Sequence, residues 1–311
     1  MIVVWAVVLI LCVAGASLSS RHAVTSALRI TDTLNVSPAL VGVTVIAIGT
    51  DLPEIANSIV ATASDHGDLN VGDSMGSVVT QVTLVLGLLC LFGRDISANR
   101  NFVISVGLAT VFASTVVWIM VGDGEITHLD GLILILLWFG GTALLGHGEL
   151  SPRQLVSEGQ GSRTAADIGM TLVWLGLVGG FAIGIVQAFL QIADRFGIPE
   201  FVGGFIALAI GTSLPELVVD LTAIRRGASS MAVGDVFGSS FVDSTLSVGI
   251  GPLLFSSLVS SEVTTGVAIA AVGVLVATIL TVRSRSYRWP LGVALLATYA
   301  TAQLLVAFAS G

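Results

Sequence analysis

Ten apolar runs divide the chain, near 1–18, 38–62, 72–92, 101–121, 127–146, 168–190, 199–223, 232–258, 263–282 and 289–309. Each approaches or exceeds the roughly 20 residues that a helix needs to cross the hydrocarbon of a bilayer. The longest polar connection, 147–167, holds Gly148, Ser157, Gly159, Gly161 and Ser162, and reads as a linker. The pattern predicts an all-α polytopic membrane protein of ten transmembrane helices. One five-helix unit covers 1–146, the linker 147–167, and a second five-helix unit 168–311. Residues 1–18 lack the positive leading region of a signal peptide, so they are read as the first span.

The basic residues give this map an orientation. There is no Lys, and the arginines fall on alternate connections: Arg21 and Arg29; Arg94 and Arg100; Arg153 and Arg163; Arg225 and Arg226; Arg283, Arg285 and Arg288. Only Arg195 lies opposite. Cytoplasmic loops collect such residues, so this side, with the linker, is expected to be cytoplasmic and both termini external. The other connections are acidic, with Asp65 and Asp68; Asp123, Glu125 and Asp130; Asp194 and Glu200; and Glu262.

A repeat then relates the two units. Gly49-Thr50-Asp51-Leu52-Pro53-Glu54 returns 162 positions later as Gly211-Thr212-Ser213-Leu214-Pro215-Glu216. At the same offset Gly42, Ala47, Ile48, Val71, Gly72, Asp73, Gly76, Ser77, Thr83, Leu84 and Gly87 also meet identical residues. The first motif leads into the acidic loop around Asp65, the second into the Arg225-Arg226 turn. One sequence unit therefore enters the membrane from opposite faces, as five spans per unit require. Inverted repeats with interrupted helices are the mark of secondary transporters, with binding near the bilayer midplane.

Composition sharpens the picture. With 54% hydrophobic residues, 10% charged residues and a mean hydropathy of +0.99, the chain lies far from the roughly 25% charge of soluble domains. Cys12 and Cys90 both fall in apolar spans, which argues against a disulfide or metal framework. The acids inside spans are the informative ones, because a carboxylate at mid-bilayer costs about 2.5–3.5 kcal/mol on insertion scales. Asp51 and Glu54 are three apart and share a helical face, with Thr50 and Ser213 adding hydroxyls and Glu216 mirroring Glu54. Ser77 with Gln81, and Ser239 with Asp243, are each four apart. The donors are hard oxygens only: four carboxylates (Asp51, Glu54, Glu216, Asp243), an amide and hydroxyls. They suit Ca²⁺, which takes six to eight oxygens, and not zinc or copper. With no base in these spans, a divalent cation, several Na⁺ or protons must neutralise the site. Asp73 and Asp235 are expected to favour the N-termini of the third and eighth helices. Asp220, one turn after Glu216, is a candidate for lining an entry path, and the four histidines are expected to be solvated.

The paired Gly-Thr-x-Leu-Pro-Glu motifs, each followed by Gly-x-x-x-Gly-Ser, resemble the cation/calcium exchanger superfamily, in its sodium/calcium exchanger branch. The resemblance covers both units. It implies ligands for Ca²⁺ and Na⁺ at Thr50, Glu54, Ser77 and Gln81, and at Thr212, Ser213, Glu216, Ser239 and Asp243. The Ca²⁺ itself would sit on Glu54, Glu216, Thr50 and Thr212, and the carbonyls of Ala47 and Ala209 would add oxygens. It further implies Na⁺-driven Ca²⁺ antiport by alternating access, without an enzymatic activity or cofactor, in a prokaryotic cell membrane. The family usually has Ser where Asp51 stands, Asn for Gln81, and Asn for Asp73 and Asp235. The added charge of Asp51 leaves Na⁺, H⁺ or K⁺ open as the balancing ion.

A Ca²⁺/H⁺ antiporter is the alternative on the same fold. A passive cation channel would need rings of carboxylates but no repeat. An intramembrane aspartyl protease would need Asp73 and Asp235 to share a proton, although they belong to opposite faces in this topology. The thinly spread arginines argue against nucleic acid, and no obligatory protein partner is evident beyond membrane lipid.

Overall fold

The computed structural model describes residues 2–34, 42–93, 96–149, 164–193, 200–284 and 286–309. These residues form ten helical stretches, which fall on the ten apolar runs. In chain order they are α1 (Ile2–Leu34), α2a (Gly42–Thr50) with α2b (Leu52–Ala63), α3 (Gly67–Phe92), α4 (Arg100–Met120) and α5 (His128–Glu149). The second set is α6 (Thr164–Ala193), α7a (200–212) with α7b (Leu214–Arg225), α8 (229–254), α9 (Ser261–Arg283) and α10 (Trp289–Ala309). Six are long and apolar enough to span a membrane as they stand, and the bent pair α2a–α2b makes a seventh.

Helix ends differ from the sequence reading in three places. The connection expected to hold Arg21 and Arg29 is helical, because α1 continues to Leu34. A helix of 33 residues is about 50 Å long, more than hydrocarbon needs, so its last turns extend beyond the apolar layer or tilt. Arg29 there pairs with Asp167 of α6 at 3.4 Å. The linker expected over 147–167 narrows as well, since 147–149 belong to α5 and 164–167 to α6; residues 150–163 lie outside the described ones. Most consequential, α3 and α8 start at Gly67 and Ser229, earlier than the apolar runs indicate. Asp73 and Asp235 are therefore mid-helix and fully buried, not N-terminal. Counting only apolar residues clipped a polar first turn from each helix.

The repeat is legible in the structure down to single contacts. π-Helical turns at Gly42–Ile46 and Thr80–Val85 have counterparts at Gly203–Leu208 and Asp243–Ser247. Positive φ occurs at Asp65 (62°) and at its equivalent Gly227 (79°), which turn the chain between the second and third helices of each half. The antiparallel pairing of β1 (Glu125–Ile126) with β2 (Ser257–Leu258) puts Glu125 opposite Leu258, and the isolated bridge Ile96–Tyr287 is its image at the same offset.

These loops also settle which parts share an end. Asp65 accepts from Ser257 Oγ at 3.1 Å, Asp68 from the Ser260 N–H at 2.7 Å, and β1 joins β2, so the acidic loops gather together. Ser97 meets Ser229, Ile96 bridges Tyr287, and the Arg226 guanidinium donates to Thr25, so the arginine-bearing loops gather together. α3 runs from the first group at Gly67 to the second at Phe92. Equivalent loops of the two halves thus lie at opposite ends, as an inverted repeat demands.

Close packing at the centre depends on glycine where α2a meets α8 and α7a meets α3. A Cβ on Gly76 would stand 2.3 Å from the Phe205 carbonyl oxygen, and one on Gly238 2.5 Å from Val43 Cα, again equivalent contacts. Only Gly lets these backbones approach. Gly76→Ala and Gly238→Ala should each cost about 1–3 kcal/mol by overpacking. Gly140→Ala, with nothing within 4 Å, should not. Thermal unfolding of the detergent-solubilised chain measures the contrast, and equal midpoints would refute the packing account.

Candidate cation site

Two helix breaks fix the depth of the site. Pro53 and Pro215 occupy the first turn of α2b and α7b, where an absent N–H is tolerated. The same absence denies a helical donor to the carbonyl four residues earlier, so the helix cannot continue unbent. α2 turns by 54° at the break, where Asp51 sits with φ −80° and ψ 5°; Ser213 takes φ −80° and ψ 1° in α7. Neither side chain caps the half-helix that follows, so the Asp51 carboxylate is not consumed by backbone N–H groups.

Around these breaks the structure brings the sequence-predicted residues together. Asp51, Glu54 and Glu216 each offer an oxygen within 4.8 Å of the others, and all three are fully buried. Thr50 Oγ1 lies 3.3 Å from Ser239 Oγ, and its image pair, Ser77 Oγ and Thr212 Oγ1, is 3.2 Å apart. Ser77 Oγ also reaches Glu54 Oε1 at 3.5 Å. One π-turn on, Gln81 Nε2 donates to Asp243 Oδ2 at 3.0 Å while its Oε1 accepts from Ser240 Oγ at 3.0 Å. Gln81 and Asp243 are equivalents in the repeat, so this bond ties the halves on their pseudo-twofold axis. Ser213 is buried beside the break, and its hydroxyl has no protein partner.

The Ala47 and Ala209 carbonyls are not unwound. Ala47 O accepts the Asp51 N–H at 3.0 Å and Thr50 Oγ1 at 3.1 Å; Ala209 O accepts the Ser213 N–H at 3.1 Å and Thr212 Oγ1 at 3.4 Å. Each carbonyl thus accepts a helical N–H, and a threonine hydroxyl stands within reach of its second lone pair.

Electrostatics dominates what the site can do. Both oxygens of Asp51 and of Glu216, with Glu54 Oε2 and Asp243 Oδ1, have no hydrogen-bond donor in the protein. Asp73, Asp220 and Asp235 bring the fully buried carboxylates to seven, and no arginine or histidine is buried among the described residues. Two unit charges 4.8 Å apart repel by about 3 kcal/mol at an effective dielectric near 20, so the central trio alone strongly favours mobile positive charge. All its donors are oxygens, the chemistry of Ca²⁺ and Na⁺.

Asp73 and Asp235 had a signal that apolar counting concealed. Asp73, Ser77 and Gln81 are successively four apart, as are Asp235, Ser239 and Asp243, so each trio forms one stripe on a helix. Asp73 accepts from Asn57 Nδ2 at 2.8 Å and from Thr212 Oγ1 at 3.4 Å. Of the histidines, His22 stacks on Trp174 with ring centroids 4.4 Å apart, and His128 Nδ1 lies 3.0 Å from the Pro252 carbonyl oxygen, both away from the carboxylates.

The sequence profile of the family described as "Sodium/calcium exchanger protein" matches residues 4–145 and 167–308, nearly all of both halves. The chain belongs to that family. The "Inner membrane protein YrbG" of Escherichia coli is 30% identical over 233 residues, 70% of each chain. The "Sodium/calcium exchanger MaX1" of Methanosarcina acetivorans is 27% identical over 272 residues, 74% of this chain and 77% of that one. In fold, the chain is similar to the sodium-calcium exchanger NCX_Mj soaked with 2.5 mM Na⁺ and 1 mM Sr²⁺. That likeness has a TM-score of 0.76 at 26% identity and covers 97% of this chain and 98% of that one. This exchanger is thus an integral membrane protein of a cation-antiport family, a class of transporters and not of enzymes.

Within the exchanger, Gln81→Leu would leave the buried Asp243 Oδ2 without its donor, while Ser240 Oγ keeps the Val236 carbonyl. Losing buried hydrogen bonds of this kind costs about 1–3 kcal/mol. The unfolding midpoint of the variant should fall accordingly, and Gln81→Glu should lower it further by placing a carboxylate against Asp243. A midpoint equal to that of the parent protein would remove Gln81 from its bridging role.

Proposed function

We propose that the protein exchanges Ca²⁺ for Na⁺ across a prokaryotic cell membrane by alternating access. The observation that carries this reading is the convergence of Glu54, Glu216 and Asp51 from the two broken helices, fully buried and within 4.8 Å of one another. Ca²⁺ binds Glu54 and Glu216 with the hydroxyls of Thr50 and Thr212. Na⁺ ions replace it using oxygens of Ser77, Ser213, Ser239, Gln81, Asp243 and the Ala47 and Ala209 carbonyls. Emptying the site exposes its carboxylates to one another, so one ion leaves as others arrive. That requirement couples the two fluxes. The termini lie outside and the connection between α5 and α6 inside, because the arginine-bearing end faces the cytoplasm. Membrane lipid surrounds the chain, and no protein partner is needed for the cycle.

Asp51 favours a second reading, Ca²⁺/H⁺ antiport, because it adds a third carboxylate where the family usually has Ser; a proton or K⁺ would balance it. Ca²⁺ uptake into proteoliposomes decides. Uptake should follow an outward Na⁺ gradient and fall at least tenfold in Glu54→Gln and Glu216→Gln. Uptake insensitive to both variants would reject the assignment, and uptake driven by a pH gradient without Na⁺ would give the counter-ion role to H⁺. Orientation has its own check. In a background without Cys12, an impermeant maleimide should label Ser256→Cys in intact cells and Ser97→Cys only after permeabilisation; the reverse would invert the topology.

A further inference from the structure

Outside the central trio, the second half carries a pair of acids that the exchange site does not use. Asp220 follows Glu216 by one turn of α7b, toward Arg225 and Arg226, and Asp235 precedes Ser239 by one turn of α8. α7b packs against α8, so the two acids lie at one helix–helix interface, in electrostatic reach of each other and of Asp51. Both residues are fully buried, and none of their four oxygens has a donor in the protein. Ionised carboxylates only accept hydrogen bonds. Two such acceptors at one dry interface repel unless something positive lies between them.

The first half shows what the same fold does when its aspartate is satisfied by protein. There Asp73 receives Asn57 Nδ2 at 2.8 Å and Thr212 Oγ1 at 3.4 Å. Ser58 stands at the position equivalent to Asp220 and donates nothing to Asp73; its hydroxyl instead accepts the Gly251 N–H at 3.0 Å. In the second half Val219 replaces the amide of Asn57, and Asp220 replaces Ser58. The donor is gone and a second acid is present, on one side of the site only.

We propose that Asp220 and Asp235 form a second divalent-cation station, one helical turn from the central site on the arginine-bearing side. Two carboxylates match a double charge, and their four oxygens, with Ser239 and Asp51 close by, are the hard donors Ca²⁺ uses. The absence of sulfur and imidazole there makes zinc and copper poor occupants. The station gives the divalent ion a resting place between the centre and one membrane face, and none on the other. The inference rests on the Ca²⁺ reading of the central site.

Equilibrium dialysis with radioactive Ca²⁺, on the full-length protein in detergent and Na⁺-free buffer, tests it. The parent protein should bind two Ca²⁺ per chain, and Asp220→Asn and Asp235→Asn one each. The double variant Val219→Asn/Asp220→Ser transplants the first half's solution and guards against misfolding, because it supplies Asp235 with a donor; it too should bind one. A single Ca²⁺ in the parent protein, or two in the double variant, overturns the station, and a proton shared by the two acids gives the first of these results. Na⁺-driven uptake measured on the same preparation separates the failures: if it persists while the second ion is absent, the station falls and the exchange reading stands.

Discussion

Buried negative charge without a buried base is the constraint that everything else in this protein answers to. Asp51, Glu54, Asp73, Glu216, Asp220, Asp235 and Asp243 are all inaccessible to solvent, and no arginine among the described residues is buried. A soluble protein would meet such a problem with lysine or arginine partners. Here fixed partners would defeat the purpose, since a carboxylate paired with arginine has no affinity left for a passing cation. The remaining features follow from that choice. Proline breaks bring backbone and side-chain oxygens to one depth, and broken backbone is tolerated in a membrane only where protein buries it or ions reach it. Glycines at 42, 76, 204 and 238 let the helices close around the charge.

The pseudo-twofold symmetry is strict in packing and relaxed in chemistry. Thr50 with Ser239 and Thr212 with Ser77 are the same contact made twice, as are the glycine crossings and the strand-like bridges at the two ends. In the alternating-access cycle proposed above, symmetry of that kind would let one set of interactions serve both an outward-open and an inward-open arrangement. The departures are confined to polar positions: Asp51 against Ser213, Gln81 against Asp243, Asn57 and Ser58 against Val219 and Asp220. Shape is conserved between halves while charge is not.

Much of this was legible in the sequence because the signals were strong and redundant. An offset of 162 aligning glycines, prolines and carboxylates, together with alternating arginines, leaves little freedom in how the halves are arranged. Asp51, Glu54 and Glu216 were identifiable because two motifs in inverted halves imply convergence. Helix ends were not legible, since apolar counting stops where a helix becomes polar. For α3 that placed the start near residue 72, when Asp68 and Asn70 belong to its first turns and face partners within the protein: Asp68 accepts from Ser260, and Asn70 donates to the Val248 carbonyl. The error turned Asp73 and Asp235 into terminal residues and hid the stripes they share with Ser77 and Ser239. Spacing by fours was the better guide, because it follows the helix whatever its polarity.

Charge count links the central site to exchange itself. With Asp51, Glu54, Glu216 and Asp243 ionised, the centre carries four negative charges, and one divalent ion neutralises half of them. Another two positive charges are therefore needed for the loaded site to cross the membrane barrier at low cost, and their source differs between readings: a second ion, protons, or both. The bond from Gln81 to Asp243 reduces this demand, because an amide hydrogen offsets part of one carboxylate at 3.0 Å. Asp51 increases it, because both its oxygens lack donors and it adjoins Glu54 and Glu216. On the proposed reading, the residue at this single position sets how much counter-charge travels with the divalent ion, and a serine there, as at Ser213, would lower the site's charge by one.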